Sequence, residues 1–230
     1  MSIFKRSSFE EPWNDRDRAL LHTCTIGATI VRQHGLESIA EVIASFPTTL
    51  GPDEPLWACG AYIAYEHCAL GDGTYYKSNT VVAGTGPLGL GLLAASLTGS
   101  AISNSRAKNQ AAADATPRWV PAHSGDIYIG PRGCYFQNPK VLPWGWDDIE
   151  ESSMIEPGVV RWVGRSTAGQ VAWLVQSGWA ELVFLLWALN RHPRHPQLAD
   201  GSWLPDGWIQ RARLHDTRVS DQVLAIRDGR

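Results

Sequence analysis

Residues 81–102, VVAGTGPLGLGLLAASLTGSAI, carry no charged side chain over 22 positions and include five glycines. So long a neutral run is expected to be hidden from water, and its identity decides the class of the chain. Three structures would hide it. Gly84, Gly86 and Gly89 spell G-x-G-x-x-G after a short β-branched run, the spacing of a dinucleotide-binding strand-turn-helix unit. That cradle needs a second buried strand and an acid roughly 20 residues on for the ribose. After Ile102 the chain reads SNSRAKNQAAADATPRW, polar and alanine-rich, and the only acid before Trp119 is Asp114, inside what reads as a helix. No alternation of strands and crossover helices follows. A dinucleotide-dependent oxidoreductase is therefore carried only as an alternative.

The run is long enough for a membrane helix, which takes about 20 mostly apolar residues. Tyr75, Tyr76 and Lys77 precede it and Arg106 and Lys108 follow, as interfacial anchors would. Pro87 and the glycines also allow two short helices forming a hairpin. Gly91, Ala95 and Gly99 recur four apart and would permit close helix contact, in lipid or in a self-associating bundle. The third structure is a soluble hairpin buried against the rest of the domain. Val81, Val82, Leu88, Leu90, Leu92, Leu93 and Leu97 are the expected membrane-contact or oligomer-contact side chains. Gly84, Gly86, Gly89, Gly91 and Gly99 are the expected close-packing positions.

At 230 residues the chain can bury a core without metal or disulfide staples. Its formal net charge of -3 argues against a general nucleic-acid binder. Cys24, Cys59, Cys68 and Cys134 are widely spaced with no C-x-x-C pair, which points to buried thiols in a reducing, cytoplasmic setting. The first 18 residues lack the apolar core of a signal peptide. Seven of the eleven tryptophans fall within 119–187, which predicts one aromatic-rich core with several indoles at its margin.

Taken in order, residues 1–16 read as a polar tail, about 18–33 as a helix or a helix with a break at Gly27, and 36–46 as an amphipathic helix stopped by Pro47. A turn-rich PTTLGPDEP leads to a strand over 56–67. GDG then marks a turn, with TYYKSNTVV as the partner strand. Beyond the neutral run an alanine-rich helix extends to Ala115. WVPAH, DIYIG, GCYFQNP and KVLPW follow as short strands, then WDDIEESSMI, VVRWVGR and QVAWLVQ. Residues 179–190 close the series as an apolar helix, too short at 12 residues to span a bilayer.

Antiparallel strands closed by one apolar helix, with GPDEPLWACGAYI, GDIYIGPRGCYFQN and LPWGWDDIEESSMI along the way, give a chain that resembles bacterial pleckstrin-homology-like and GRAM domains. The resemblance covers about 50–190 and departs from the family in its large neutral insertion. It implies an α+β fold: N-terminal helices, then a barrel of two nearly orthogonal sheets capped by a C-terminal helix, with an inserted apolar helical hairpin. The expected division is 1–49 as tail and helices, 50–192 as the barrel with an insertion at 81–116, and 193–230 as a C-terminal tail. The family further implies binding of lipids or proteins in place of catalysis, without a cofactor. The expected partners are inner-membrane lipid or a membrane protein, with a homo-oligomer as a further possibility.

Anionic headgroups call for converging cations, and Lys77, Arg106, Lys108 and Arg118 bracket the neutral run. Ordinary solvated charge is the plainer reading of these four. Cys59, His67 and Cys68 lack paired ligand spacing, so no metal site is expected. His192 and His195 read as a surface loop, and Asp147, Asp148, Glu150 and Glu151 as a solvated acidic face. Trp203 and Trp208 are either packed onto the barrel or exposed for a partner.

Overall fold

The computed structural model describes residues 12–68, 109–110, 115–166 and 169–229. The described chain is mixed helix and sheet. Helix α1 (Asp15–Arg32) is followed by strands β1 (Ala58–Cys68), β2 (Arg118–Ile129), β3 (Gly133–Asn138) and β4 (Lys140–Gly145). After them come β5 (Ile149–Glu156), β6 (Val159–Ser166), β7 (Gly169–Ser177) and helix α2 (Ala180–Arg191). The strands form one curled antiparallel sheet in the order β4-β3-β2-β1-β7-β6-β5. Two meanders are thus joined where the first strand lies beside the last. The chain divides into two compact units, Met1–Tyr65 with Pro121–Arg230, and Glu66–Val120, and the far ends of β1 and β2 belong to the second.

Alternation along the strands sends one set of side chains inward. Phe136, Trp144, Trp162 and Trp173 meet there, with Trp162 5.3 Å from Phe136 and 5.9 Å from both other indoles. The Trp144 and Trp162 indole nitrogens are buried with no hydrogen-bond partner among the described residues. Trp144 lies edge-on to Trp173 at 61° and Trp162 to Phe136 at 79°, the geometry in which ring faces serve as weak acceptors. At the margin the indoles find carbonyls instead: Trp146 donates to Pro131, Trp179 to Cys59 and Trp187 to Ile149, at 2.9–3.0 Å.

Helix α2 packs against β3, β5, β6 and β7. Ala180 to Ala188 are all buried, as expected of a helix apolar on every side. Each of Leu182, Val183, Phe184, Leu185 and Leu186 contributes roughly 1.5–3 kcal/mol through burial. Helix α1 starts in a capping box, Asn14 Oδ1 accepting from the Asp17 N–H while the Asp17 carboxylate accepts from the Asn14 N–H. Thr23 and Thr25 donate back to Ala19 and Leu21, so their hydroxyls are satisfied within the helix. Gly27 continues α1 without a break, because the helix must pass close to its neighbours. A Cβ there would stand 2.6 Å from Leu185 and 2.8 Å from Ile226.

Three expectations are corrected. Residues 36–46 form no amphipathic helix, so among the described residues of the N-terminal region α1 is the one α-helix. A single 3-10 turn, Leu36–Ser38, gives way to an extended strap whose Val42 N–H donates to Leu56 at 2.6 Å. WVPAH and DIYIG are not two strands but parts of β2. Gly125 lies within it because a Cβ there would run into the Gln137 carbonyl of the neighbouring strand. Residues 193–230 hold helices α3 (Pro196–Asp200), α4 (Trp208–Ala212) and α5 (Val219–Asp228), with α5 packed on α1, where a tail was expected. The GDG turn, the TYYKSNTVV strand and the neutral run lie outside the described residues, while Asn109, Gln110 and Ala115 are helical.

Candidate functional site

Of the residues expected to meet lipid or a partner, only Arg118 is described, exposed at the start of β2. Val81, Val82, Leu88, Leu90, Leu92, Leu93 and Leu97, the five glycines, and Lys77, Arg106 and Lys108 lie outside the described residues. All belong to the connection 69–117 between β1 and β2, which are neighbours in the sheet. The strand pairs described in register, β2–β3, β3–β4, β5–β6 and β6–β7, are antiparallel.

The acidic face is engaged in ion pairs: Asp147 with Arg191 at 2.6 Å, Glu150 with Arg165 at 2.9 Å and Glu151 with Arg161 at 3.8 Å. Asp148 accepts from the Gly145 N–H. These are exposed pairs, each worth up to about 1 kcal/mol. His192 and His195 lie in the surface loop between α2 and α3 that was expected, with His192 exposed and His195 half-buried. Both rings pack on Trp187, at 4.9 and 5.8 Å, and the Nδ1 of His195 caps α3 by accepting from the Gln197 N–H. Burial holds the His195 imidazole below its ordinary pKa, with a smaller push from His192.

No group of three His, Cys, Asp or Glu side chains that could hold a metal occurs among the described residues. His67 instead packs its ring on Trp119 at 5.2 Å. Burial raises the pKa of the Cys24, Cys59 and Cys134 thiols, which makes each a weaker nucleophile. The Tyr62 hydroxyl lies 3.0 Å from His123 Nδ1 in the aromatic interior, and burial raises its pKa too, with Asp126 adding to the effect.

Three buried carboxylates had no signal in the sequence beyond their positions near turns and caps. Asp17 accepts from the Trp208 indole at 3.0 Å and from Arg211. Glu54 accepts from the Arg132 N–H and, at 2.7 Å, from Tyr135, whose oxygen in turn accepts from the Thr49 and Leu50 N–H groups. Glu181, in the first turn of α2, accepts from Arg16 and from the Gly158 N–H. Burial still raises its pKa against those contacts, and its Oε2 has no partner among the described residues. Each carboxylate ties distant segments together. Trp203 and Trp208, left open by the sequence, are both buried.

A groove of about 440 Å³ opens where the last turns of α1 and α2 approach the strap. Ile30, Leu36, Pro55, Trp57 and Pro131 give it apolar walls, and Glu37, Glu41 and Asn190 are its polar lining. Along β5 lies a different surface. The Gln197 amide donates to the Met154 carbonyl and accepts from the Met154 N–H, both at 2.9 Å, as a neighbouring strand would.

Compared with known proteins, the chain matches no family model, no curated protein and no solved structure. Among the described residues no helix is long and apolar enough to cross a membrane.

Proposed function

We propose that this chain is a non-catalytic binding module, a pleckstrin-homology-like or GRAM-like barrel that associates with anionic lipid or a membrane protein through its β1–β2 connection. One observation carries the reading. Adjacent antiparallel strands need only two residues between them, yet 49 separate β1 from β2, including the neutral run 81–102. Pairing two adjacent strands does not need that length, and so long a neutral run in the connection suits a contact surface. The meander order and the closing helix α2 agree with such a barrel. Antiparallel pairing is the reverse of what a dinucleotide cradle uses.

Lys77, Arg106, Lys108 and Arg118 are the proposed headgroup contacts, at about 1 kcal/mol each near an anionic surface. Vesicle co-sedimentation tests the proposal, comparing the full chain with a variant lacking 81–102 and with K77Q/R106Q/K108Q/R118Q. The full chain is expected to sediment with phosphatidylglycerol vesicles and both variants to stay in solution, each with an unchanged circular dichroism spectrum outside the deleted part. Full-length protein that stays in the supernatant at every lipid composition refutes the membrane arm. A dimer that the deletion converts to monomer would assign the run to self-association.

A further inference from the structure

We infer that the groove between the ends of α1 and α2 and the strap is a second docking surface, built for an amphipathic helix of a partner protein with Lys or Arg beside its apolar face. Its volume, about 440 Å³, lies in the roughly 300–1,000 Å³ range of ligand clefts. Trp57 and Leu36 with Pro55 and Pro131 supply apolar walls of the kind that receive anchor side chains.

The electrostatics select the occupant. Among the described residues, Glu37 and Glu41 have no ion-pair partner and no Lys, Arg or His lines the groove. Ile30 and Asn190 place the C-terminal turns of two helices at the same opening, and each helix end adds partial negative charge. The cations of those last turns are engaged elsewhere: Arg191 pairs with Asp147, and Arg32 donates to the Asp221 carbonyl. The Asn190 amide nitrogen is committed to the Leu186 carbonyl, which leaves its oxygen as an acceptor. An apolar groove with a negative mouth repels anionic lipid and favours an apolar segment flanked by cations.

Exposure sets the size of the occupant. Leu36 is 44% exposed, and Ile43, two residues beyond Glu41 on the strap, is 94% exposed. Apolar surface that continues past the groove calls for a helix face rather than a small amine.

The test uses the full chain and two fluorescein-labelled 14-residue helical peptides, one of Leu and Lys and one of Leu and Glu, read by anisotropy. The Leu/Lys helix is expected to bind and the Leu/Glu helix not. E37K/E41K and L36D should each weaken the Leu/Lys helix at least tenfold, while E150K/E151K on the opposite meander leaves it unchanged. All three substitutions sit on exposed side chains, and circular dichroism confirms folding. Equal binding by E37K/E41K, or an equal loss in E150K/E151K, overturns the inference. Sedimentation velocity supplies another arm: a dimer of the wild-type chain that L36D abolishes would show that a second copy fills the groove, and would also overturn it. The test is independent of residues 81–102, so its failure leaves the proposal for the β1–β2 connection untouched.

Discussion

Replacing Asp17 with Ala removes the contact that fastens the C-terminal helices to α1. Its Oδ1 accepts from the Trp208 indole and from Arg211, and its other oxygen accepts from the Asn14 N–H at 3.1 Å. The Asp17 side chain is 3% exposed and that of Arg211 19%. A buried indole N–H left without an acceptor costs about 1–3 kcal/mol. Removing one partner of a buried ion pair costs about 3–5 kcal/mol, less here because Arg211 retains some solvent. These losses share one carboxylate and overlap, so the expected total is about 3–4 kcal/mol. For a chain of this length that is a fall of roughly 6–16 °C in melting temperature. Urea unfolding followed by tryptophan fluorescence and by circular dichroism measures it. D17N, which keeps an acceptor for the indole, should recover about half the loss. A cost below about 1 kcal/mol for D17A, or equal costs for D17A and D17N, refutes the assignment.

Gly133→Ala should cost about 3 kcal/mol or more, because its Cβ would meet the Trp144 backbone oxygen and Gly145 Cα, whereas Gly178→Ala, with nothing within 4 Å, should stay within about 0.5 kcal/mol; thermal melts compare the two. Gln197→Ala should expose the Met154 N–H and carbonyl on the outer edge of β5, read as faster amide exchange at Met154 and a loss of about 1–2 kcal/mol. His195 is held neutral, so its contribution to stability is complete above pH 6.5 and lost as the pH falls through its lower folded value. Glu181 acts in the opposite sense, its contribution present below 4.5 and lost as the pH rises through its raised folded value. His195→Asn keeps a cap for α3 and should remove the loss of melting temperature just below pH 6.5; an unchanged pH profile would show that His195 does not cause it.

Much of the fold from Arg118 to Arg191 is legible in the sequence because turn residues mark its strands: PRG between β2 and β3, NP between β3 and β4, and PG between β5 and β6. The errors arise where a distant partner overrides a local pattern. Helical spacing in 36–46 puts Ile39 and Ile43 on one face, yet Ile39 is 7% exposed and Ile43 94%, because the strap bonds to Leu56 instead of to itself. Ser124-Gly125 reads as a turn, but that glycine admits a neighbouring strand. Nothing near Asp17 in the sequence announces that Trp208 and Arg211, 191 and 194 residues on, will enclose it. The groove is hidden for the same reason. Glu37 and Glu41 look like the polar face of a helix, and only the approach of Ile30, Trp57, Pro131 and Asn190 turns them into a rim.

The arrangement of the sheet also narrows where the proposed binding could take place. A small barrel can hold a ligand only if its interior is left open. Here the inward positions of β3, β4, β6 and β7 are filled by Phe136, Trp144, Trp162 and Trp173 in mutual contact, so a ligand entering among them would have to displace rings that are 0–5% exposed. Strand addition at β5 is blocked in turn, since the Gln197 amide already satisfies Met154 and helix α2 packs against the same strand. With the interior and the β5 edge both taken, the proposed binding is left to the 69–117 connection, the strap before β1 and the other edge, β4. Changes in the aromatic interior should therefore lower stability without altering the affinity of a stably folded variant, while changes at Glu37, Glu41 or the neutral run should do the reverse.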